Sequence, residues 1–194
     1  MGSPAYSDRL DRAAALAVDS FRGKLRKGSN VPYVTHLFMV CALVGEHGGD
    51  EDQMIAALLH DYLEDIEGSS YAHLHDVFGV RVADLVLALS DTTTRPKPPW
   101  KKRKLRYIAR LRDEDPAAKL ICAADKLHNS RSIVRDHVRL GDAIFDRFSP
   151  DKPETLWYYR ECFAALCDGW SHQILDDLEE SVRRLHRAAG SRWP

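Results

Sequence analysis

Apolar residues recur at the three-and-four spacing of an amphipathic helix along the whole chain, and no run shows sustained two-residue alternation enriched in β-branched residues. That pattern excludes a sheet and predicts an all-α bundle of roughly eight to ten helices. Ser7 is placed to cap a first helix through about Leu25, with Leu10, Ala14, Ala17, Val18 and Phe21 on one face, before Gly28-Ser29-Asn30 breaks it. A second helix runs from about Thr35 to Glu46 and ends at Gly48-Gly49. Asp50 caps a third, in which Ile55, Leu58, Leu59 and Tyr62 form a core-facing stripe and which continues past Glu64. Short helices over 71–78 and 80–90 precede a loop where Pro96, Pro98 and Pro99 remove backbone donors. A basic helix resumes near Trp100. Asp115-Pro116, a capping carboxylate followed by proline at the first helical position, opens another over 117–136. Pro150 and Pro153 break the next loop, and a last helical region runs from Glu154 towards Ala189, interrupted at Gly169.

The 194 residues fit a single compact unit with a helical extension, and 28 basic against 29 acidic side chains exclude both disorder and a polyelectrolyte role. No stretch approaches the 18 or so apolar residues of a membrane span, and residues 1–9 lack an apolar signal-peptide centre, so the expectation is a cytoplasmic protein. Cys41, Cys122, Cys162 and Cys167 lie in apolar helical stretches without a CxxC pair, which suits small buried residues in a reducing compartment.

The chemistry begins at His60-Asp61. With 9 histidines in the chain, about one such dipeptide arises by chance, so the pair means nothing alone. Its setting says more. On a continuous helix Glu64 and Asp65 lie one turn beyond His60 and Asp61, which stacks ionisable groups on two adjacent rows. A solvated face tolerates three clustered carboxylates; a divalent cation offsets their repulsion. Asp125 follows the mostly apolar run Ala117–Ala124 and is expected to be buried, where a carboxylate must be paired or bind a metal. Lys126, its neighbour, points elsewhere on a helix, whereas Asn129 one turn on shares the face. Two imidazoles, His36 and His60, with Asp61 and Asp125 and no thiolate suit Mn²⁺ or a similar octahedral ion with open water positions, and open positions imply hydrolysis.

These residues carry a resemblance. His36, His60-Asp61 and Asp125 match the ligand pattern of the HD phosphohydrolase superfamily. Arg26-Lys27, Pro32-Tyr33-Val34, Ala56-Ala57-Leu58-Leu59-His60-Asp61, Glu64-Asp65, Phe78-Gly79 and Asp125-Lys126-Leu127-His128-Asn129-Ser130-Arg131 narrow it. Together they resemble the hydrolase domain of RelA/SpoT enzymes and the stand-alone small alarmone hydrolases of the metazoan SpoT-homologue type, over roughly residues 12–168, with 169–194 as an extension too short for a synthetase or sensory domain. The resemblance implies a single HD domain and one Mn²⁺ held by His36, His60, Asp61 and Asp125. It implies that Glu64 and Asp65 orient or activate the attacking water. It further implies that Arg26, Lys27, Tyr33, Lys97, Asn129, Arg131 and the Tyr158-Tyr159 pair meet a nucleotide, and that the reaction removes the 3′-pyrophosphate of (p)ppGpp. Three features depart from the pattern: Leu37 replaces proline after the first histidine, Ile66 replaces threonine after Glu64-Asp65, and one extra residue separates Arg26-Lys27 from His36.

The alternative keeps the chemistry and changes the nucleotide to (p)ppApp, NADPH or a nucleoside phosphate. A metal-free nucleotide- or RNA-binding module is the rival of another class, and the presence of all four ligand positions speaks against it. Residues 95–112 hold Arg95, Lys97, Lys101, Lys102, Arg103, Lys104, Arg106, Arg110 and Arg112 and no acid. That run reads as a solvated face, as a rim steering an anionic substrate, or as a nucleic-acid patch; the neutral overall balance and the lone Trp100 disfavour the last. Neither nucleic acid nor membrane is an expected partner, and His47, His73, His75, His137, His172 and His186 receive no role.

Overall fold

The computed structural model describes residues 6–193; the reading of residues 1–5 as lacking a signal lies outside them. Two compact units are present, one containing the described part of Met1–Arg26 with Asn30–Thr93, the other Lys27–Ser29 with the described part of Thr94–Pro194. Among the described residues all regular structure is helical apart from an isolated bridge between Leu25 and Pro32. None of the helices is long and apolar enough to cross a membrane.

The first unit holds α1 (Asp8–Ser20), α2 (Val34–Glu46), α3 (Glu51–Leu59), α4 (Tyr62–Asp65), α5 (Tyr71–Phe78) and α6 (Val80–Leu89). Its starts follow side-chain caps: Ser7 accepts from the Arg9 amide, Ser70 from the His73 amide, and Asp50 forms a reciprocal capping box with Gln53. α3 packs against α1, α2 and α6, and Ile55, Ala56, Ala57, Leu58 and Leu59 are all buried. It is therefore apolar on every side, a central helix rather than one with a single core-facing stripe.

Two expectations are corrected here. α1 stops at Ser20, because residues 24–26 leave the helix to pair with 31–33: Arg26 N–H donates to the Val31 carbonyl and Tyr33 N–H to that of Lys24, both at 2.9 Å. α3 does not continue through Glu64. His60 Nδ1 lies 2.8 Å from the Ala57 carbonyl, the acceptor a continuing helix would offer the Asp61 amide, and Asp61 leaves helical geometry at φ −96°, ψ 2° before α4 restarts.

The second unit holds α7 (Trp100–Leu111), α8 (Pro116–Leu140), a 3₁₀ stretch (Gly141–Arg147), α9 (Lys152–Cys167) and α10 (Ile174–Ala188). Asp115 caps α8 through the Ala117 amide at 2.7 Å. Against this long helix pack α9, α10 and the 3₁₀ stretch, while α7 packs on α9. Buried Lys119 donates to the carbonyls of Arg112 (2.7 Å) and Asp168 (2.9 Å), which cap the C-terminal ends of α7 and α9. Cys122 and Cys162 are buried and Cys167 is exposed, all as free thiols.

Helix α10 is not an appendage. Leu178, Val182 and Leu185 of α10 are fully buried, and Ser181 shares a 2.7 Å hydroxyl hydrogen bond with Ser130 of α8. Leu178→Ala should therefore destabilise the protein by about 2–5 kcal/mol in urea unfolding, and a loss below about 0.5 kcal/mol would detach α10 from the core. His186, also on α10, is buried against Trp193 with ring centroids 5.2 Å apart, and burial pulls its pKa below the usual imidazole value. A group whose folded pKa is depressed favours the fold above its unfolded pKa of about 6.5 and costs stability as pH falls below it. Unfolding profiles at pH 7.5 and 5 should show an acid loss that His186→Phe reduces; an unchanged loss would clear His186 of that role.

Candidate metal centre

In the first unit the sequence brings four functional side chains together through two short segments. His36 sits in the first turn of α2, just after the strand-like pairing that places Tyr33, and is 1% exposed. His60, 4% exposed, sits at the end of α3 with its ring edge-on to that of His36, centroids 5.1 Å apart at 78°. A carbonyl carries no proton, so His60 Nδ1 must be the donor in the contact with Ala57. This fixes the tautomer and leaves Nε2 as the basic nitrogen, 3.2 Å from Asp61 Oδ2. A lone pair facing a carboxylate oxygen at that distance is repulsive unless a proton or a cation lies between or beside them, and a buried imidazolium is itself costly. The donor chemistry thus fits a divalent cation.

Asp61 Oδ2 also accepts a hydrogen bond from the Tyr33 hydroxyl. Burial first, then the charge of Asp61, push the Tyr33 phenol well above its ordinary pKa, so it stays protonated and able to donate. The Tyr33 ring stacks on Phe21, centroids 5.3 Å apart at 12°, and carries the Arg26 guanidinium 5.6 Å from its centroid.

Glu64 and Asp65 lie on α4. Glu64 Oε2 accepts from the Asp91 backbone amide at 3.4 Å, and Asp65 forms an ion pair with Lys24. Lys24 is the residue of this cluster that sequence reasoning missed. Its ammonium lies 4.5 Å from the centroid of the Tyr33 ring, so the carboxylate repulsion that called for a cation is met in part by a lysine of the chain. The signal was available only as a basic residue two positions before Arg26, which has no meaning until residues 24–26 pair with 31–33.

In the second unit Asp125 is 7% exposed on α8, and both of its oxygens are engaged. Oδ1 accepts from Asn129 Nδ2 at 2.5 Å, the neighbour expected from helix geometry. Oδ2 pairs with Lys126 Nζ at 2.5 Å, against expectation. The long lysine stem curls back around the helix, because its ammonium is held over the rings of Tyr158 (5.4 Å) and Tyr107 (5.7 Å), a cationic lining to a buried wall. Burial alone would lower the Lys126 pKa, but the charge of Asp125 holds it well above the usual lysine range.

The remaining sequence-derived candidates fall as follows. Arg131 pairs with Asp177 at 3.2 Å on a half-exposed surface. Tyr158 and Tyr159 are 8% and 9% exposed, and Tyr158 packs edge-on to Trp100. Lys97 and Lys27 are exposed. Of the basic run, Lys101 lies 3.3 Å from the Trp157 ring centroid and pairs with Glu154, and Arg112 pairs with Asp168, so part of it is spent inside its own unit. His36 and His60, buried in the first unit, and Asp125, buried in the second, each carry a donor atom of a kind that a divalent metal takes.

The HD domain family matches residues 13–150. The chain is 35% identical over 139 residues to the guanosine-3′,5′-bis(diphosphate) 3′-pyrophosphohydrolase MESH1 of Mus musculus, a match covering 70% of this chain and 74% of that protein. It is 33% identical over 175 residues to the bifunctional (p)ppGpp synthase/hydrolase SpoT of Escherichia coli K12; the match covers 89% of this chain and spans only 23% of that relative's length. A solved structure described as a metazoan ortholog of SpoT that hydrolyses ppGpp shares the fold, with a TM-score of 0.77 at 23% identity over 97% of this chain and 99% of that one.

The Tyr33 hydroxyl supplies a testable feature of this geometry. Tyr33→Phe keeps the stack on Phe21 and removes the donor to Asp61, so calorimetric affinity for a divalent cation, read with manganese, should fall about 10–100-fold. An unchanged affinity would mean that Asp61 is not held by Tyr33 for that purpose.

Proposed function

Because the chain belongs to the HD-domain family, we propose that it is a divalent-metal-dependent hydrolase that converts (p)ppGpp and water to GDP or GTP and pyrophosphate. The observation that carries the reading is the buried His36–His60 pair, with the basic nitrogen of His60 turned onto Asp61, in a chain whose MESH1 and SpoT relatives are named for ppGpp hydrolysis. His36, His60, Asp61 and Asp125 are the proposed ligands, and Mn²⁺ the proposed ion, since two imidazoles with two carboxylates and no thiolate favour an octahedral metal. When bound, such an ion acidifies a water and polarises a phosphoryl oxygen.

The protein's own groups do the rest. A carboxylate oxygen of Glu64 or Asp65 accepts the proton of the attacking water, a contribution of roughly 10²–10⁴-fold. The water's oxygen joins the phosphorus on the 3′ oxygen, the bond between that phosphorus and the 3′ oxygen breaks, and the ribose keeps the oxygen as a hydroxyl, taking up the proton that the carboxylate received from the water. Arg26, Lys27, Lys97 and Arg131 supply positive charge to the phosphates and Asn129 a hydrogen-bonding edge to the base; Tyr158 and Tyr159 back the pocket. Arg131 exchanges Asp177 for substrate in this scheme. A small nucleotide as partner, without nucleic acid or membrane, and a cytoplasmic setting complete the reading.

Metal-stripped protein supplied with Mn²⁺ and ppGpp should release pyrophosphate, and Asp125→Asn should reduce the rate at least about 100-fold. Undiminished activity in that variant would remove Asp125 from the site. Faster turnover of ppApp or NADPH in the same assay would replace the substrate while keeping the chemistry.

A further inference from the structure

Lys24 stands out because three independent contacts fix one ammonium. It pairs with Asp65, and it sits over two stacked rings, 4.5 Å from the Tyr33 centroid and 5.3 Å from that of Phe21. Its side chain is 34% exposed and that of Asp65 22%, so the pair is partly withdrawn from solvent on the side of the aromatic stack. A free lysine has four rotatable bonds; this one has its ammonium held by two rings and a carboxylate together. The backbone reinforces the arrangement, since the Lys24 carbonyl accepts from the Tyr33 amide, which locks the lysine and its aromatic rail to one another. Tyr33 in turn donates to Asp61, four residues before Asp65 on the other side of the α3–α4 break.

Asp61 and Asp65 therefore carry separate tethers, a phenol for the first and an ammonium for the second. Left to itself, a second flexible carboxylate beside a divalent cation is a competing ligand, and a carboxylate bound to the ion cannot take the water's proton.

We propose that Lys24 is a positioning residue that holds Asp65 in place as the proton acceptor and keeps it from becoming a further metal ligand. The inference rests on the catalytic role given to Asp65 under the proposed function. It adds to that reading a residue outside the Arg26-Lys27 motif.

The test is a double-substitution cycle on the full chain. Lys24→Met should lower kcat about 10–100-fold with KM for ppGpp within about twofold, and Lys24→Arg should recover most of the loss. In an Asp65→Asn background, Lys24→Met should cost no further activity, because its target is gone. Calorimetric titration of metal-stripped Lys24→Met with Mn²⁺ should give an affinity equal to or tighter than the parent's. Its melting temperature should fall by less than about 4 °C, as befits a partly exposed ion pair. Losses that simply add in the double variant, or a metal affinity weakened about tenfold or more, would overturn the inference. If Asp65→Asn alone retains parental activity, the assignment of Asp65 itself has failed and the inference falls with it. A strongly impaired Asp65→Asn with additive losses refutes Lys24 alone.

Discussion

The hydrogen bond between His60 Nδ1 and the Ala57 carbonyl shapes both the backbone and the chemistry. It lies where α3 ends and Asp61 leaves helical geometry. It also orients the imidazole so that the basic nitrogen faces Asp61 and the ring of His36. The burial of α3 on all sides gives this bond its force: a helix packed against α1, α2 and α6 cannot shift to relieve an unfavourable side chain at its end. The close approach of a lone pair and a carboxylate is thus built into the core of the unit, and it is resolved most simply by a cation.

In each unit the carboxylates are held by groups of different kinds. Tyr33 donates a hydrogen bond to Asp61 and Lys24 brings a full charge to Asp65; in the other unit, taken by itself, Lys126 and Asn129 each engage one oxygen of Asp125. None of these donors is placed by chance side-chain mobility. Tyr33 and Lys24 are fixed by paired backbone and stacked rings, Lys126 by the faces of Tyr107 and Tyr158. Such supports set ligand orientation before any ion or substrate arrives, which is the condition for a site that need not reorganise on binding.

Much of the helical layout was legible in the sequence because caps and breakers are local. Ser7, Asp50, Asp115 and the proline loop at 96–99 mark boundaries close to those observed, and Gly169 falls between α9 and α10. The His60-Asp61 pair was legible as a candidate for the same reason. What failed was the assumption that a helical pattern implies an unbroken helix: the periodicity of residues 51–65 is indifferent to one hydrogen bond at Ala57. Lys126 was misjudged because i to i+1 geometry concerns Cβ directions, and a lysine stem is long enough to turn back when aromatic rings hold its tip. Lys24 was invisible because its partners come from residues 31–33 and 65, which periodicity does not relate. The integration of α10 was missed because an amphipathic helix reads the same whether it covers this core or another surface.

A cation bonded to the buried histidine pair is the centre of this chemistry. Anomalous diffraction at the manganese edge, from crystals of the parent protein grown with that ion, tests it most directly. One peak within about 2–2.3 Å of nitrogen atoms of both His36 and His60, with carboxylate oxygens of Asp61 and Asp125 also in the shell and water in the remaining positions, is the predicted result. A fully refined structure with no peak there, or with the ion bound elsewhere and His60 paired to Asp61 as an imidazolium, would contradict it.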